Sequence, residues 1–300
     1  MVDIDPVVGR RHLRLRLKQL RLDKGDSLLQ VATVLDWSHS KLVRIEQGKV
    51  GISQTDLRAL LAYYGVTDPE EIKTAVEQAR ASSSRRQPYS KYASVLNEES
   101  RNFFLLQERS ISFMQFDPLL IPGLFQTPEY AGEVVRALRA QDELADDPEI
   151  TQIVEARIER QERLLERADG PIMSVILDES ALRRWVGSSP GKNDIMIGQL
   201  ERLKELTGHP QVHMQIAPFR AGIYAGIRDP FVVLELPGAS PGQTESALYL
   251  ETRGDLVLRE ENDEVVERTS YFYGLQKLSL PESETDRFID GVIEDLRAVD

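Results

Sequence analysis

Ser38, His39, Ser40, Lys41 and Arg44 fall on the outer positions of one predicted helix, and Lys49 lies just beyond its end. The groups near the helix start are short hydrogen-bonding side chains, and the longer donors follow. That order suits a helix whose N-terminal residues meet base edges in the major groove of duplex DNA. Arg14 and Arg16 lie on an earlier basic helix with Arg10, Arg11, Lys18 and Arg21, where they suit phosphate contacts.

No comparable arrangement points to catalysis. The chain has no cysteine, which removes thiol catalysis, cysteine zinc sites and disulfide scaffolds together. His209-x3-His213 has a metal-like spacing, but Pro210 breaks the helix that would align the pair, and no third ligand follows. Asp178-Glu179 could be paired acids, yet they open a helix, where acids complement the dipole anyway. No Walker loop, G-x-S-x-G elbow or dinucleotide glycine fingerprint occurs. The expectation is therefore a non-enzyme with no catalytic residues, no cofactor and no metal. The loop over 218–230, with Phe219, Arg220, Gly222, Tyr224 and Arg228, is the expected ligand or partner surface, although its glycines equally serve turns.

Several elements must position the outer face of that helix. Residues 9–24 repeat Leu13, Leu17 and Leu20 at helical spacing. Asp26-Ser27 caps a helix over 28–35 with Val31, Ala32 and Leu35 on one face, and Ser38 caps the next, with Leu42 and Ile45 inward and Gly48 as its stop. Two short helices joined by a tight turn form the helix-turn-helix pattern. Asp36 stands where the turn needs a left-handed residue, and Glu46 is expected to pair back to the basic first helix. Residues 53–63 and 69–80 supply two more helices.

The run Ser27-x3-Val31-Ala32-x2-Leu35-x-Trp37-Ser38-x-Ser40-Lys41-Leu42-x-Arg44-Ile45-Glu46-x-Gly48 resembles the lambda-repressor-like, Xre-type helix-turn-helix. The resemblance implies an all-α five-helix DNA-binding domain. Two positions depart from it: Leu28 stands where a phosphate-touching Gln is usual, and Asp36 where a turn Gly is usual.

Charge divides the chain. Residues 1–91 carry 16 Lys and Arg against 11 Asp and Glu, a net +5, and the remainder carries 21 against 38, a net −17. A basic head on an acidic body suggests different partners for each. The polar stretch ending at Pro88 reads as a linker, giving a domain over 1–81, a linker over 82–91 and a second domain over 92–300. In the body, helices are expected over 92–107, 127–140, 148–167, 179–186, 193–206, 265–277 and 281–299. Strands are expected over 110–116, 172–177, 212–216, 231–236, 246–251 and 256–258. On the long helix, Ile150, Ile153, Val154, Ile158 and Leu165 read as inward, while Arg157 and Arg160 read as outward. Overall this is an α+β protein, a helical head before a mixed α/β effector domain.

Residues 120–131, Arg157-x2-Arg160-Gln161, 177–184, Pro218-Phe219-x3-Gly222 and Tyr249-Leu250-Glu251-Thr252 resemble the C-terminal effector domain of actinobacterial Xre-type regulators, the WhiJ-like group. The resemblance implies a transcription regulator whose gene neighbours one for a small acidic partner protein, and it admits an antitoxin-like role. Two functional readings follow. In the first, a cytoplasmic, nucleoid-associated homodimer binds a pseudo-palindromic operator as a repressor or autoregulator, and its body senses a ligand or small protein. In the second, the body is an enzyme acting on a nucleotide or protein, and the head only localises it. No apolar run approaches the roughly 20 residues of a membrane span.

Overall fold

The computed structural model describes residues 6–48, 50–84, 88–139, 147–187, 193–239, 242–252, 255–259 and 262–299. The chain divides into two compact units, one of Met1–Pro88 with Pro237–Thr244, the other of Tyr89–Leu236 with Glu245–Asp300. It is an α+β protein, an all-helical head followed by a body built on a six-stranded mixed sheet.

The head comprises α1 (Pro6–Lys24), α2 (Leu28–Val34), α3 (His39–Glu46), α4 (Gln54–Tyr63) and α5 (Pro69–Ser84). Serines start three of them: the side chains of Ser27, Ser38 and Ser53 accept from the backbone N–H of Gln30, Lys41 and Asp56. Each such cap is worth about 1 kcal/mol, and Gln30 closes a capping box on Ser27. The core joins Leu13 and Leu17 of α1 to Val31, Ala32, Leu42, Ile45, Leu57, Leu60 and Val76. Asp36 takes the left-handed conformation at φ 53°, as the turn requires. The expected linker over 82–91 is shorter in the structure. α5 continues through Ser84, and Tyr89 and Tyr92 are already buried in the second unit.

The body comprises α6 (Glu98–Arg109), β1 (Ser112–Asp117), α7 (Pro128–Arg139), α8 (Pro148–Leu165), β2 (Ile172–Asp178), α9 (Glu179–Arg183), α10 (Asp194–Thr207), β3 (Val212–Ala217), β4 (Phe231–Pro237), β5 (Thr244–Thr252), β6 (Asp255–Arg259), α11 (Asn262–Leu278) and α12 (Glu282–Val299). The helix expected from residue 92 starts only at Glu98, because Asn97 caps it by accepting from Ser100 N–H at 2.8 Å. Sheet order is β3-β2-β1-β4-β5-β6. β1 pairs parallel with β2 and antiparallel with β4, so the sheet changes sense at β1. Alternation along β1 sends Met114 and Phe116 to one face, where they pack with Phe231, Val233, Phe272 and Leu275. It sends Phe113, Gln115 and Asp117 to the opposite face.

Candidate nucleic-acid interface and a charged body cleft

α3 buries Leu42 and Ile45 against the head core and leaves His39, Ser40 and Arg44 exposed. Among the described residues, the Arg44 and His39 side chains make no hydrogen bond or ion pair, so both are free to reach outward. Ser38 is committed to its cap, and its Oγ lies 3.3 Å from Ser40 Oγ. The C-terminal end of α3 is anchored. Arg21 donates Nε to Glu46 Oε1 at 2.7 Å and Nη2 to Glu46 Oε2 at 2.8 Å, a buried bidentate pair of the kind expected for Glu46. The hydrogen bond to Glu46, more than its charge, holds the Arg21 pKa above its ordinary value, against the opposing effect of burial. Arg10 reaches the same end, donating Nη2 to the Gly48 carbonyl at 2.6 Å. Gly48 has φ 73°, and a Cβ there would lie 3.0 Å from Arg14 Cδ, so any other residue would be strained and crowded.

Three expected DNA contacts are placed differently. Lys41 Nζ lies 3.0 Å from Asp56 Oδ1 and 4.0 Å from the Trp37 ring centroid, so its charge is used within the head. Arg16 pairs with Glu71 at 2.7 Å and bridges α1 to α5. Arg14 lies half-buried beside Gly48 at the end of α3. Lys49 lies outside the described residues. A sequence reading counts Lys41 and Arg16 as outward because a helix period cannot see an acid on another helix.

In the body, the 218–230 loop presents Phe219 at 57% and Ile223 at 95% exposure, with Arg220, Gly222 and Arg228 also exposed. Tyr224 departs from the expected surface. It is buried, packs edge-on to Phe116 with ring centroids 6.1 Å apart, and donates its hydroxyl to Asp178. Burial, with that bond, raises its pKa. Asp178 also caps α9, and Glu179 Oε2 accepts from Phe219 N–H at 2.7 Å, so the adjacent acids hold a helix start and a loop. Of the apolar turn at 119–125, Leu119 is exposed while Ile121, Leu124 and Phe125 are core. His209 bonds the Leu165 carbonyl and His213 faces Glu282; among the described residues no cluster of metal-ligating side chains forms.

The largest departure is on α8, where Arg160 is buried, not outward. Its guanidinium lies 4.3 Å from the Phe104 centroid and 5.0 Å from that of Phe103, and its Nε donates to Gln107 Oε1 at 2.9 Å. Burial pushes its pKa down to about 10. One turn earlier, half-buried Arg157 donates to Gln126 Oε1. Gln126 donates in turn to the Ile121 carbonyl at 2.7 Å, and Gln161 ties Gly123 and Gln126 to α8. Both arginines line a cleft of about 220 Å³ on the sheet face that carries Gln115 and Asp117, with Tyr249 and Glu251 of β5 beside them. Asp117 is half-buried, and its pKa lies well above the usual carboxylate range because desolvation outweighs the amide bond from Gln115.

Residues 12–74 match the family model described as a helix-turn-helix domain, and residues 100–291 match the one described as a domain of unknown function, DUF5753. No curated protein and no solved structure matches the chain. No helix among the described residues is long and apolar enough to cross a membrane.

Proposed function

The chain belongs to the DUF5753 family and carries a helix-turn-helix domain at its head, and from that premise we propose that it is a sequence-specific transcription regulator that acts as a homodimeric repressor. The observation that carries this reading is the geometry of α3. Its C-terminal end is pinned by Arg21, Glu46 and Arg10, while the His39 and Arg44 side chains stay exposed and uncommitted. An anchored helix with free hydrogen-bonding side chains on its outer face is what major-groove reading needs. The acidic body, whose charge repels DNA, regulates the head without a catalytic step. The resemblance to WhiJ-like regulators adds a small acidic protein as partner. An acidic body repels an acidic partner, so the two join through apolar contact, for which Phe219 and Ile223 are available. The protein works in the cytoplasm, on the nucleoid.

The test is selection of bound fragments from randomised duplex DNA by the full chain at physiological salt, followed by footprinting and sedimentation. We expect a pseudo-palindrome protected as two half-sites about 34–36 Å apart, and a dimer in solution. Arg44→Ala costs about 1–3 kcal/mol of specific binding and relaxes preference at one base position. Selection that enriches no sequence, or a monomer protecting a single half-site, overturns the proposal.

A further inference from the structure

The cleft between the sheet and α8 is lined by four charged side chains that form no ion pair with one another. Asp117 stands at the end of β1, Glu251 on β5, and Arg157 and Arg160 on α8. Glutamines hold the arginines in place, Gln126 for Arg157 and Gln107 for Arg160, and no carboxylate among the described residues does so. Asp117 receives the Gln115 amide at 2.8 Å. The other end of that amide, Gln115 Oε1, is buried and meets no donor, and the residue is 7% exposed. An unpaired charge or amide removed from water costs free energy, so opposite charges sharing a cleft ordinarily close on each other. Here packing keeps them apart: Arg160 is stacked on Phe104, and Arg157 is bound to a glutamine that is itself tied to the Ile121 carbonyl.

The cavity of about 220 Å³ has room for roughly seven waters at ~30 Å³ each. That is below the usual range for drug-sized ligands and right for a molecule of about ten heavy atoms. Three of the stretches singled out in the sequence meet around it: Leu120 to Gln126, Arg157 with Arg160, and Tyr249 with Glu251. Tyr249 and Phe103, with ring centroids 4.7 Å apart, give the cleft an aromatic wall that suits an aliphatic stem or an ammonium.

We propose that this cleft binds a small zwitterion of amino-acid size, its carboxylate on Arg157 and Arg160 and its ammonium on Asp117, Glu251 and the Gln115 carbonyl. Guanidinium groups match a carboxylate in geometry as well as charge. An ammonium supplies the donor that Gln115 Oε1 lacks, a donor to Glu251 and a second one to Asp117. The site deepens the regulatory reading above and rests on it only for the consequence at DNA, since occupancy is measured without DNA.

The experiment is thermal unfolding of the full chain with each of the twenty L-amino acids at about 10 mM, with acetate and methylammonium as one-ended controls. One amino acid, or a chemically related few, raises the midpoint of the body transition by roughly 5–10 °C at a hundredfold excess over Kd, and neither control does. Arg157→Gln and Asp117→Asn each abolish the shift while circular dichroism is unchanged. If Arg157→Gln does not fold, Glu251→Gln at the exposed edge weakens binding at least tenfold. The proposal is overturned if no amino acid moves the midpoint by more than about 1 °C, if acetate alone reproduces the shift, or if the shift survives in both cleft variants. An occupied cleft that leaves operator affinity unchanged supports the site and defeats only its regulatory role.

Discussion

Glu46→Ala is the sharpest perturbation of the head. Glu46 and Arg21 have side-chain exposures of 7% and 10%, and two charge-assisted bonds of 2.7 and 2.8 Å join them. Truncation leaves the guanidinium with only the Asp26 carbonyl, at 3.0 Å. Each lost bond to a charged group is worth about 1.5–3 kcal/mol, and breaking a buried pair costs about 3–5 kcal/mol. The pair sits close beneath the surface of a small domain, which favours about 3 kcal/mol. A head of roughly 80 residues has about 4–12 kcal/mol to lose, so its midpoint falls by roughly 12–24 °C. The double change Arg21→Met with Glu46→Leu recovers most of the loss, because no buried charge is orphaned. Trp37 reports the transition by fluorescence once Trp185→Phe silences the only other tryptophan. Raising salt from about 0.1 to 0.5 M changes the loss little, since a buried pair is poorly screened. A loss below about 1 kcal/mol, or one that salt erases, refutes the claim that this pair anchors α3.

Asp117→Asn tests the cleft by pH. A carboxyl whose folded pKa is raised contributes stability that is fully present below its unfolded value, near 3.9, and is lost as pH rises through the folded one. Thermal unfolding therefore finds the variant more stable than the parent at pH 8, with the gap closing by about pH 4; an equal gap at both ends contradicts the assignment. Tyr224→Phe removes a buried hydroxyl from Asp178 and costs about 1–3 kcal/mol in urea unfolding of the body. Arg16→Ala costs under about 1 kcal/mol, because its pair with Glu71 is partly exposed. If Arg16 is held there on DNA as well, its loss leaves the salt slope of binding unchanged, whereas a phosphate contact would lower it by about one.

The head was legible because its determinants are local. Ser27, Ser38 and Ser53 announce their helices within three residues, and Asp36 and Gly48 mark turns by conformations that few residues tolerate. The strands of the body were legible for the same reason, their alternation being a property of short segments. What escaped was decided by distant partners. Arg157 and Arg160 read as outward because a helix period assigns every arginine to water, and only Gln107, Phe104 and Gln126, from elements far along the chain, make their burial tolerable. Lys41 and Tyr224 were misplaced likewise, by Asp56 and by Asp178. The break at Asn97 was written locally, in a capping residue followed by two acids, but the apolar residues on either side suggested one continuous helix.

The change of sense at β1 also sets a timetable for synthesis. The central strand completes its pairing only with β4, and the roughly 115 residues between Asp117 and Phe231 take about 6–23 s to translate at ~5–20 residues per second. The five-helix core of the head closes on contacts within residues 13–79, which form far faster. A nascent chain therefore carries a packed five-helix core, with Arg44 already outward, for many seconds before the sheet can close. During that interval β1 and β2 offer open edges, and Phe113, Phe116 and Met173 lack their full cover. Slower translation or a destabilised β4 would therefore send chains to aggregation with their heads intact.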